Sequence, residues 1–146
     1  MVIADLVEVL SIERNNQISP WARVSFEESL AREHVCRLIY DKSEQVIIGF
    51  YIVCVVVDEL HILNIVVAKA YQGKGFSHML MHSIMEVAQK NRSVRKLFLE
   101  VRMSNMIAQN LYRQWQFEQI AIRKGYYQTD NKEREDAVVM AKKHIN

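Results

Sequence analysis

The hydrophobic pattern at the start of the chain predicts two helices. Apolar residues recur at helical spacing over residues 5–14, with Asp5 as a candidate N-cap and Asn15-Asn16 ending the pattern. A second helix opens at Ser19-Pro20-Trp21, with proline in its first turn, and runs to His34. The chain therefore begins with a helical pair.

Two further helices and six strands are predicted after residue 34. The helices run from Phe76 to near Asn91 and from an N-cap at Ser104 to about Trp115. Short apolar runs rich in β-branched residues predict strands at 36–40, 46–57, 60–68, 96–102, 117–123 and 137–142. Polar residues 128–135 predict a loop between the last two strands. The order ααβββαβαββ predicts a single α/β domain over residues 1–146, with helices on both faces of a mixed sheet.

The composition is that of an ordinary globular protein. The formal net charge of +2 is too small to indicate nucleic-acid binding. Cys36 and Cys54 lie in apolar surroundings, which is typical of reduced core residues rather than of a disulfide framework. The start of the chain lacks a signal-peptide pattern, and the longest apolar run, 46–57, is too short to span a bilayer. We expect a cytoplasmic protein that contacts neither a membrane nor nucleic acid directly.

A glycine-rich turn at residues 71–78 stands between a predicted strand and a predicted helix. Two of the four glycines, Gly73 and Gly75, lie in it. This arrangement presents backbone N–H groups and the positive end of a helix dipole to a phosphate. The turn lacks the spacer and the Ser or Thr of a P-loop, and it lacks the third glycine of a dinucleotide fingerprint. The sequence therefore predicts an anion site of another kind.

The candidate chemistry lies in the segment that follows this turn. Glu100 interrupts an apolar strand, and the spacing of Asn105, Ala108 and Tyr112 places them on one face of a helix. An acid in a strand also suits a solvent face, and a tyrosine at such a position also suits a core. The residues alone leave both interpretations open.

A covalent nucleophile and a metal site are both disfavoured. Neither cysteine has a histidine and an acid in a recognisable arrangement. His78 and His82 are four residues apart on a predicted helix, but no third ligand is in view, and helix-surface histidines are the better interpretation. We expect no metal.

The sequence resembles the GNAT acetyltransferases. Gln72-x-x-Gly75-x-Ser77 resembles the family's pyrophosphate loop, and Glu100-Val101-Arg102-x-Ser104-Asn105 with Leu111-Tyr112 resembles the second half of its core. The resemblance is stronger to the ribosomal-protein alanine N-acetyltransferases over residues 5–142, through Ser19-Pro20-Trp21, Asn64 to Val67, Arg123-x-x-Tyr126-Tyr127 and Arg134-Glu135-Asp136-Ala137 with Met140. It implies a mostly antiparallel sheet. Only Val2 and Ile3 could supply the family's opening strand, which is expected to be vestigial.

The resemblance implies acetyl-CoA as the co-substrate. The backbone of Ile65, Val66 and Val67 would pair with the pantetheine arm, and an amide near Val67 would polarise the thioester carbonyl. The turn would hold the pyrophosphate, through Gln72, Gly73, Lys74, Gly75, Phe76, Ser77 and His78. Asn105 would bond the cofactor near its pantetheine.

The resemblance also implies the catalytic roles and the acceptor. Glu100 would be the general base for the amine and Tyr112 the general acid for the leaving thiolate, in direct transfer within a ternary complex. The implied partner is the N-terminal alanine of a small-subunit ribosomal protein. Trp21, Tyr126 and Tyr127 would line its cleft, and Glu28, Asp58 or Glu135 would face its arginines; packing and solvated charge remain the alternative interpretations of all six.

Rival functions differ in acceptor or in class. The nearest is a GNAT enzyme for a lysine side chain, a polyamine or another small amine, and Tyr126-Tyr127 favours a peptide over a small amine. A coenzyme-A-binding module without catalysis is disfavoured because Glu100 and Tyr112 are both present. A nucleic-acid-binding domain is disfavoured because no basic stripe is visible.

Overall fold

The structure, a computed structural model, describes residues 1–144. A short 3₁₀ turn, Ile3–Asp5, comes before the first helix. The helices are α1 (Leu6–Asn16), α2 (Arg23–Ala31), α3 (Phe76–Lys90) and α4 (Met106–Gln114). The strands are β1 (Val35–Asp41), β2 (Val46–Val56), β3 (Glu59–Val67), β4 (Lys96–Arg102), β5 (Glu118–Gln128) and β6 (Arg134–Lys143). The predicted order of elements is confirmed.

The six strands form one mixed, mostly antiparallel sheet in the order β1-β2-β3-β4-β6-β5. β1, β2 and β3 make an antiparallel meander, and β5 and β6 make a C-terminal hairpin. β3 and β4 pair in parallel because α3 carries the chain back across the sheet between them. The sheet is antiparallel everywhere else, as the expected fold class requires.

Helices cover both faces of the sheet. Alternate residues of β2 point to opposite faces: Tyr51 and Val53 pack with α3 and α4, whereas Phe50 and Ile52 pack with α1 and α2. The α3 face of this core contains Leu80, Met81, Ile84 and Ala88, which are at most 2% exposed. Full burial of such aliphatic side chains stabilises a fold by about 1.5–3 kcal/mol each. The sheet and α3 therefore form the rigid base of the domain.

A bulge in β3 reverses which side chains face which layer. Val53 of β2 stands opposite Ile62 and Ile52 opposite Asn64, so Leu63 is an extra residue. Leu60 and Ile62 face α3, whereas Asn64, after the bulge, faces α1. An unbroken strand would point residues 62 and 64 to the same face.

The same region ends the pairing of β3 with β4. The last parallel pair is Ile62 with Leu99, and the two strands separate beyond it. Beyond this pair, the edges of β3 and β4 that face each other have no partner strand, and a cleft lies between them. This cleft holds the candidate site.

Several predicted boundaries near the N-terminus are wrong by a few residues. Asn16 lies inside α1, where its side chain donates to the Ile12 carbonyl at 2.6 Å. α2 begins at Arg23, so Pro20 lies outside its first turn. It ends at Ala31 because Glu33 has a positive φ of 56°, which turns the chain before His34.

Three other local predictions are corrected. Asp5 precedes α1, but its carboxylate accepts from the Val2 amide rather than from the helix. Val2 and Ile3 belong to no strand; residues 3–5 form the 3₁₀ turn, so no opening strand precedes α1. The last hairpin is longer than predicted, because β5 continues to Gln128 and β6 begins at Arg134. Among residues 1–144, no helix is both long and apolar enough to cross a membrane.

Candidate active site

Three connected hollows occupy the cleft between β3 and β4. The loop-side groove, about 330 Å³, lies between the end of β3 and α4, and the central cavity lies where the two strands part. The hairpin-side groove, about 310 Å³, lies next to the β5–β6 hairpin, which contributes Tyr126, Tyr127 and Val139 to its wall. Tyr112 lines the first two, and Glu100 and Tyr127 line the last two. A passage therefore runs from the glycine-rich turn to the C-terminal hairpin.

The glycine-rich turn presents free backbone amides at the start of α3. Gly73 and Gly75 have φ values of 73° and 86°, a conformation that other residues rarely adopt. Within residues 1–144, the N–H groups of residues 73–77 have no acceptor. The His78 amide is different, because it donates to the Gly75 carbonyl at 3.1 Å. Of the predicted amides, those of Gly73, Lys74, Gly75, Phe76 and Ser77 are thus available to an anion.

Gln72 connects the turn to two other elements. Its side-chain amide donates to Asn16 at 2.8 Å and to the Val67 carbonyl at 3.0 Å, and its backbone amide donates to Lys69. The side chain lines the loop-side groove. Gln72 therefore fixes the end of α1 against β3, and its donors are already used inside the protein.

The end of β3 offers alternate backbone groups to the cleft. Ala68 donates to the Ile48 carbonyl at 2.8 Å, and the register continues with Val67 opposite Gly49 and Val66 opposite Phe50. In this antiparallel pattern Val66 hydrogen-bonds to β2, whereas Ile65 and Val67 direct their N–H and C=O groups away from it. Ile65 and Val67 therefore face the cleft, and the Val66 backbone does not.

Asn105, rather than the predicted Ser104, is the N-cap of α4. Its Oδ1 accepts from the Ala108 amide at 3.1 Å. Its Nδ2 has no acceptor within the described chain, and the residue lines both the loop-side groove and the central cavity. The cap thus aims a free donor at the cleft.

Tyr112 is buried between the loop-side groove and the central cavity. It is 6% exposed and packs against Phe117. Its hydroxyl has no hydrogen-bond partner among residues 1–144. Burial, followed by the nearby Tyr127 hydroxyl, raises the pKa of Tyr112 well above its ordinary value near 10. The phenol is therefore protonated at every physiological pH.

Glu100 stands just past the last β3–β4 pair, where the strands begin to part. Its side chain is 28% exposed, and Oε1 accepts from Arg123 at 2.5 Å. Burial, followed by a hydrogen bond to Glu100, raises the pKa of Tyr126, so this phenol is a second partner of the carboxylate. The Glu100 carboxylate is therefore held by Arg123 and Tyr126 where it lines the central cavity.

Aromatic residues surround Glu100 on the hairpin side of the cleft. Trp21 and Tyr126 line the hairpin-side groove, and Tyr127 lines this groove and the central cavity. The rings of Tyr126 and Tyr127 meet edge to face at 4.9 Å. Burial and then the Glu100 charge raise the pKa of Tyr127 to about 12. The three predicted aromatic residues thus lie together.

A model described as the acetyltransferase (GNAT) family matches residues 5–117. The chain belongs to the GNAT family. It is 34% identical over 141 residues to a ribosomal protein bS18-alanine N-acetyltransferase of Haemophilus ducreyi, covering 97% of this chain and 95% of the relative. The corresponding Escherichia coli K12 enzyme is 33% identical over 137 residues, covering 94% and 90%.

Solved structures agree with this assignment. The crystal structure of the Escherichia coli ribosomal-protein-S18-alanine N-acetyltransferase has a TM-score of 0.87 at 31% identity, covering 98% of this chain and 90% of that one. Arabidopsis thaliana NAA60 in complex with acetyl-CoA has a TM-score of 0.83 at 17% identity, covering 96% and 93%, and supports the fold alone. The expected GNAT fold is confirmed, and the chain is an acetyl-CoA-dependent acetyltransferase.

The GNAT site contains polar residues that sequence reasoning missed. Glu13 is 1% exposed and lines the central cavity. Its place in the apolar stripe of α1, three and seven residues after Leu10 and Leu6, was a signal. Burial raises the pKa of the Glu13 carboxyl, and hydrogen bonds from Trp21 and Asn64 offset this only in part. This carboxylate is one of five buried polar or charged residues in the described part of the chain.

The second missed feature is a polar latch made by Arg102 and Glu135. Arg102 donates to Glu135 at 3.1 Å and to the Gln128 carbonyl at 2.9 Å, and its guanidinium lies 4.5 Å from the Tyr127 ring centroid. Ser19 donates to the same Gln128 carbonyl at 2.8 Å. The latch therefore joins β4, the β5–β6 hairpin and the α1–α2 segment over the central cavity.

The acids predicted to face acceptor arginines are placed elsewhere. Glu135 is committed to Arg102 and to the Ser104 amide. Burial is the largest single effect on its pKa and raises it, but the contacts with Ser104 and Arg102 together outweigh burial and lower the pKa. Asp58 lies in the β2–β3 turn, where its carbonyl accepts from Arg95. Neither Asp58 nor Glu28 lines the cleft.

The paired histidines of α3 contact neighbouring side chains, and the two cysteines are unbonded thiols. His78 accepts from the Trp115 indole at 3.0 Å, and His82 pairs with Glu86 at 3.5 Å. Residues 1–144 contain no cluster of three side chains able to hold a metal ion. Cys36 and Cys54 are free, and burial raises the pKa of each thiol.

Proposed function

We propose that the protein is an N-terminal protein acetyltransferase. It transfers acetyl from acetyl-CoA to the α-amine of an N-terminal alanine of a small-subunit ribosomal protein. The observation that carries the proposal is one cleft that joins free glycine-turn amides, the buried Tyr112 hydroxyl and the Glu100 carboxylate. The named activity of relatives 33–34% identical over nearly the whole chain supports the acceptor. A ribosomal-protein acceptor implies a cytoplasmic location.

The loop-side groove would hold acetyl-CoA at its pyrophosphate and pantetheine arm, and this co-substrate supplies the activated acetyl group. The unpartnered amides of residues 73–77 would hold the pyrophosphate, helped by the positive end of α3. Ile65 and Val67 would pair with the amides of the pantetheine arm as an added strand, and Asn105 Nδ2 would donate to it. Gln72 would act indirectly, because it fixes Val67 and α1 in place.

Glu100 is suited to receive the proton of the acceptor amine. A peptide α-amine has a pKa of about 7.7–8.0, so a carboxylate acting directly or through water is a sufficient base. The ion pair with Arg123 fixes the orientation of the carboxylate, which lines both the central cavity and the hairpin-side groove. Glu100 would therefore take the proton as the amine attacks the acetyl carbonyl.

Tyr112 is suited to protonate the departing thiolate. Its hydroxyl is unpartnered, and the residue lines the wall shared by the loop-side groove and the central cavity. Burial keeps it protonated, and a thiolate formed in a dry site needs a proton. Tyr112 would therefore give its proton to sulfur and recover it from solvent after product release.

The hairpin-side groove suits a polypeptide better than a small amine. It is open, about 310 Å³, and is lined by Trp21, Tyr126, Tyr127 and the stacked rings of His61 and Phe98. A small amine would leave most of this aromatic surface uncovered. The competing acceptors are a lysine side chain and a polyamine or other small amine.

Initial-velocity kinetics test the direct transfer. Acetyl-CoA and a peptide that begins with alanine are varied together. Direct transfer in a ternary complex predicts intersecting double-reciprocal lines. Parallel lines would indicate a covalent acetyl-enzyme and contradict direct transfer, which is expected because neither cysteine lines the cleft.

A further inference from the structure

Glu13 lines the central cavity together with Glu100 and Tyr112, but the proposed reaction gives it no role. Its carboxylate is 1% exposed, and no Lys, Arg or His pairs with it within residues 1–144. Burial of a carboxylate without a cation is costly unless its oxygens accept good hydrogen bonds. Such a group on the apolar stripe of α1 calls for a structural or functional reason.

Both oxygens of Glu13 are used, and they join two different parts of the site. Oε1 accepts from the Trp21 backbone amide at 2.9 Å, and Oε2 accepts from Asn64 Nδ2 at 3.1 Å. Trp21 lies in the segment between α1 and α2, which has no hydrogen-bonded regular structure of its own. Asn64 belongs to β3, directly after the bulge at Leu63.

The bulge is what makes this connection geometrically available. It turns Asn64 toward α1, whereas Ile62 still faces α3. The residues that follow, Ile65 and Val67, are those that face the cleft. Glu13 therefore connects the strand segment beside the acetyl donor to the aromatic wall on the acceptor side.

We propose that Glu13 is a positioning residue that holds Trp21 in the acceptor wall by joining its backbone to Asn64 of the bulged strand. The inference deepens the proposed function, on which it rests, by naming a determinant of acceptor binding. Trp21 lines both the central cavity and the hairpin-side groove, so its displacement would alter the acceptor side of the cleft. The turn amides on the cofactor side would keep their geometry.

The test compares Glu13→Ala with Glu8→Ala, a matched control. Glu8 is also on α1 and also accepts a backbone N–H, that of Ile47, but it lies outside the cleft. We expect Glu13→Ala to raise the KM for an alanine-terminated peptide about tenfold and to change the KM for acetyl-CoA less than twofold. Glu8→Ala should lower stability without this split. Glu13→Gln should restore most of the peptide affinity. The glutamine Oε1 can accept from the Trp21 N–H, and its Nε2 can donate to Asn64 Oδ1 once the Asn64 side-chain amide has rotated by half a turn.

A second readout does not depend on turnover. In a Trp115→Phe background Trp21 is the only tryptophan, and acrylamide quenching reports its exposure. Glu13→Ala should increase the quenching constant about twofold or more, and Glu8→Ala should leave it unchanged. Asn64→Ala breaks one of the two bonds and should act in the same direction if Glu13→Ala does not fold.

The outcomes distinguish the positioning role of Glu13 from the proposed peptide acceptor. Unchanged quenching and an unchanged KM split in both Glu13→Ala and Asn64→Ala would overturn the positioning role. An equal effect of Glu8→Ala would also overturn it, by assigning the effect to a general loosening of α1. Increased quenching in a protein that acetylates no peptide would refute the proposed acceptor and leave the Glu13 connection standing.

Discussion

Arg123 donates to Glu100 at 2.5 Å although the two residues stand on strands that are not neighbours. Glu100 on β4 is opposite Val139 of β6, and Arg123 on β5 is opposite Ala137, so the guanidinium reaches across β6. The same guanidinium lies 4.2 Å from the centroid of the Tyr126 ring. The acid proposed as the base is thus oriented by the hairpin that supplies the acceptor wall.

Glu100→Gln should lower kcat/KM for the peptide about 10²–10⁴-fold, the usual contribution of a general base. The loss should be largest at low pH, where the α-amine is protonated and deprotonation limits the rate. The measurement is a pH–rate profile of both proteins from pH 6 to 10.

Arg123→Gln is the control for this prediction. It removes the partner of Oε1 but keeps the carboxylate, so it should cost far less activity than Glu100→Gln. Equal losses in the two variants would show that the ion pair matters as a structural contact, and the base would have to be sought elsewhere.

Tyr112→Phe should lower kcat about 10²–10⁴-fold and leave coenzyme A affinity nearly unchanged, because only the proton donor is removed. Burial raises the pKa of this phenol, so the wild-type rate should show no decline from its ionisation up to about pH 10. Stopped assays give kcat, and calorimetry gives the affinity. Tyr40→Phe, at an exposed ring on β1 outside the cleft, is the control; a near-wild-type rate for Tyr112→Phe would remove Tyr112 as the acid.

Gly75→Val should weaken coenzyme A binding at least tenfold, about 1.4 kcal/mol. The residue has a φ of 86°, and a side chain at the start of α3 would occupy space in front of the free amides. Gly125→Val is the matched control, since Gly125 also has a positive φ, of 57°, but lies in the hairpin. Calorimetry that finds equal affinities for the two variants would contradict the pyrophosphate role of the turn.

The stability of Glu13→Gln should depend less on pH than that of the wild type. Burial raises the folded-state pKa of Glu13 above its unfolded value, so the folded protein binds this proton more tightly. Its contribution to the free energy of unfolding is therefore complete below the unfolded pKa and is lost as pH rises through the folded pKa. Denaturant unfolding between pH 4 and 8 should show that the free energy of unfolding of Glu13→Gln rises relative to that of the wild type as the pH increases. A difference that does not change with pH would contradict a raised pKa for Glu13.

The sequence predicted the elements from local pattern, whereas the roles expected of Glu100 and Tyr112 came from the resemblance to the family. Gly75, Glu100 and Tyr112 lie in segments whose spacing identifies strand, turn and helix. The turn amides could be predicted because positive-φ glycines before a helix leave N–H groups free. The sequence predicted Asn105 as a site residue but predicted Ser104, one residue earlier, as the N-cap of α4. Either side chain can serve as an N-cap, so the pattern did not distinguish them.

The remainder depends on contacts between residues distant in sequence. Ser19 meets Gln128 from 109 positions away, and Glu13 meets Asn64 from 51 positions away. The sequence did not distinguish Val66 from Ile65 and Val67 as cofactor-binding residues. The backbone of Val66 instead bonds to β2, and this depends on the register between β2 and β3, which the bulge sets. Glu135 was given to the acceptor because its partner, Arg102, lies 33 residues before it.

The most direct test of the central claim is intact-mass spectrometry of two peptides with the same basic sequence. One begins with a free alanine, and the other is blocked at its N-terminus and contains lysine; each is incubated with acetyl-CoA and the protein. We predict a single added acetyl group on the free-terminus peptide and none on the blocked one. Acetylation of the blocked peptide, or of neither peptide while coenzyme A still binds, would contradict the assignment of the α-amine as the acceptor.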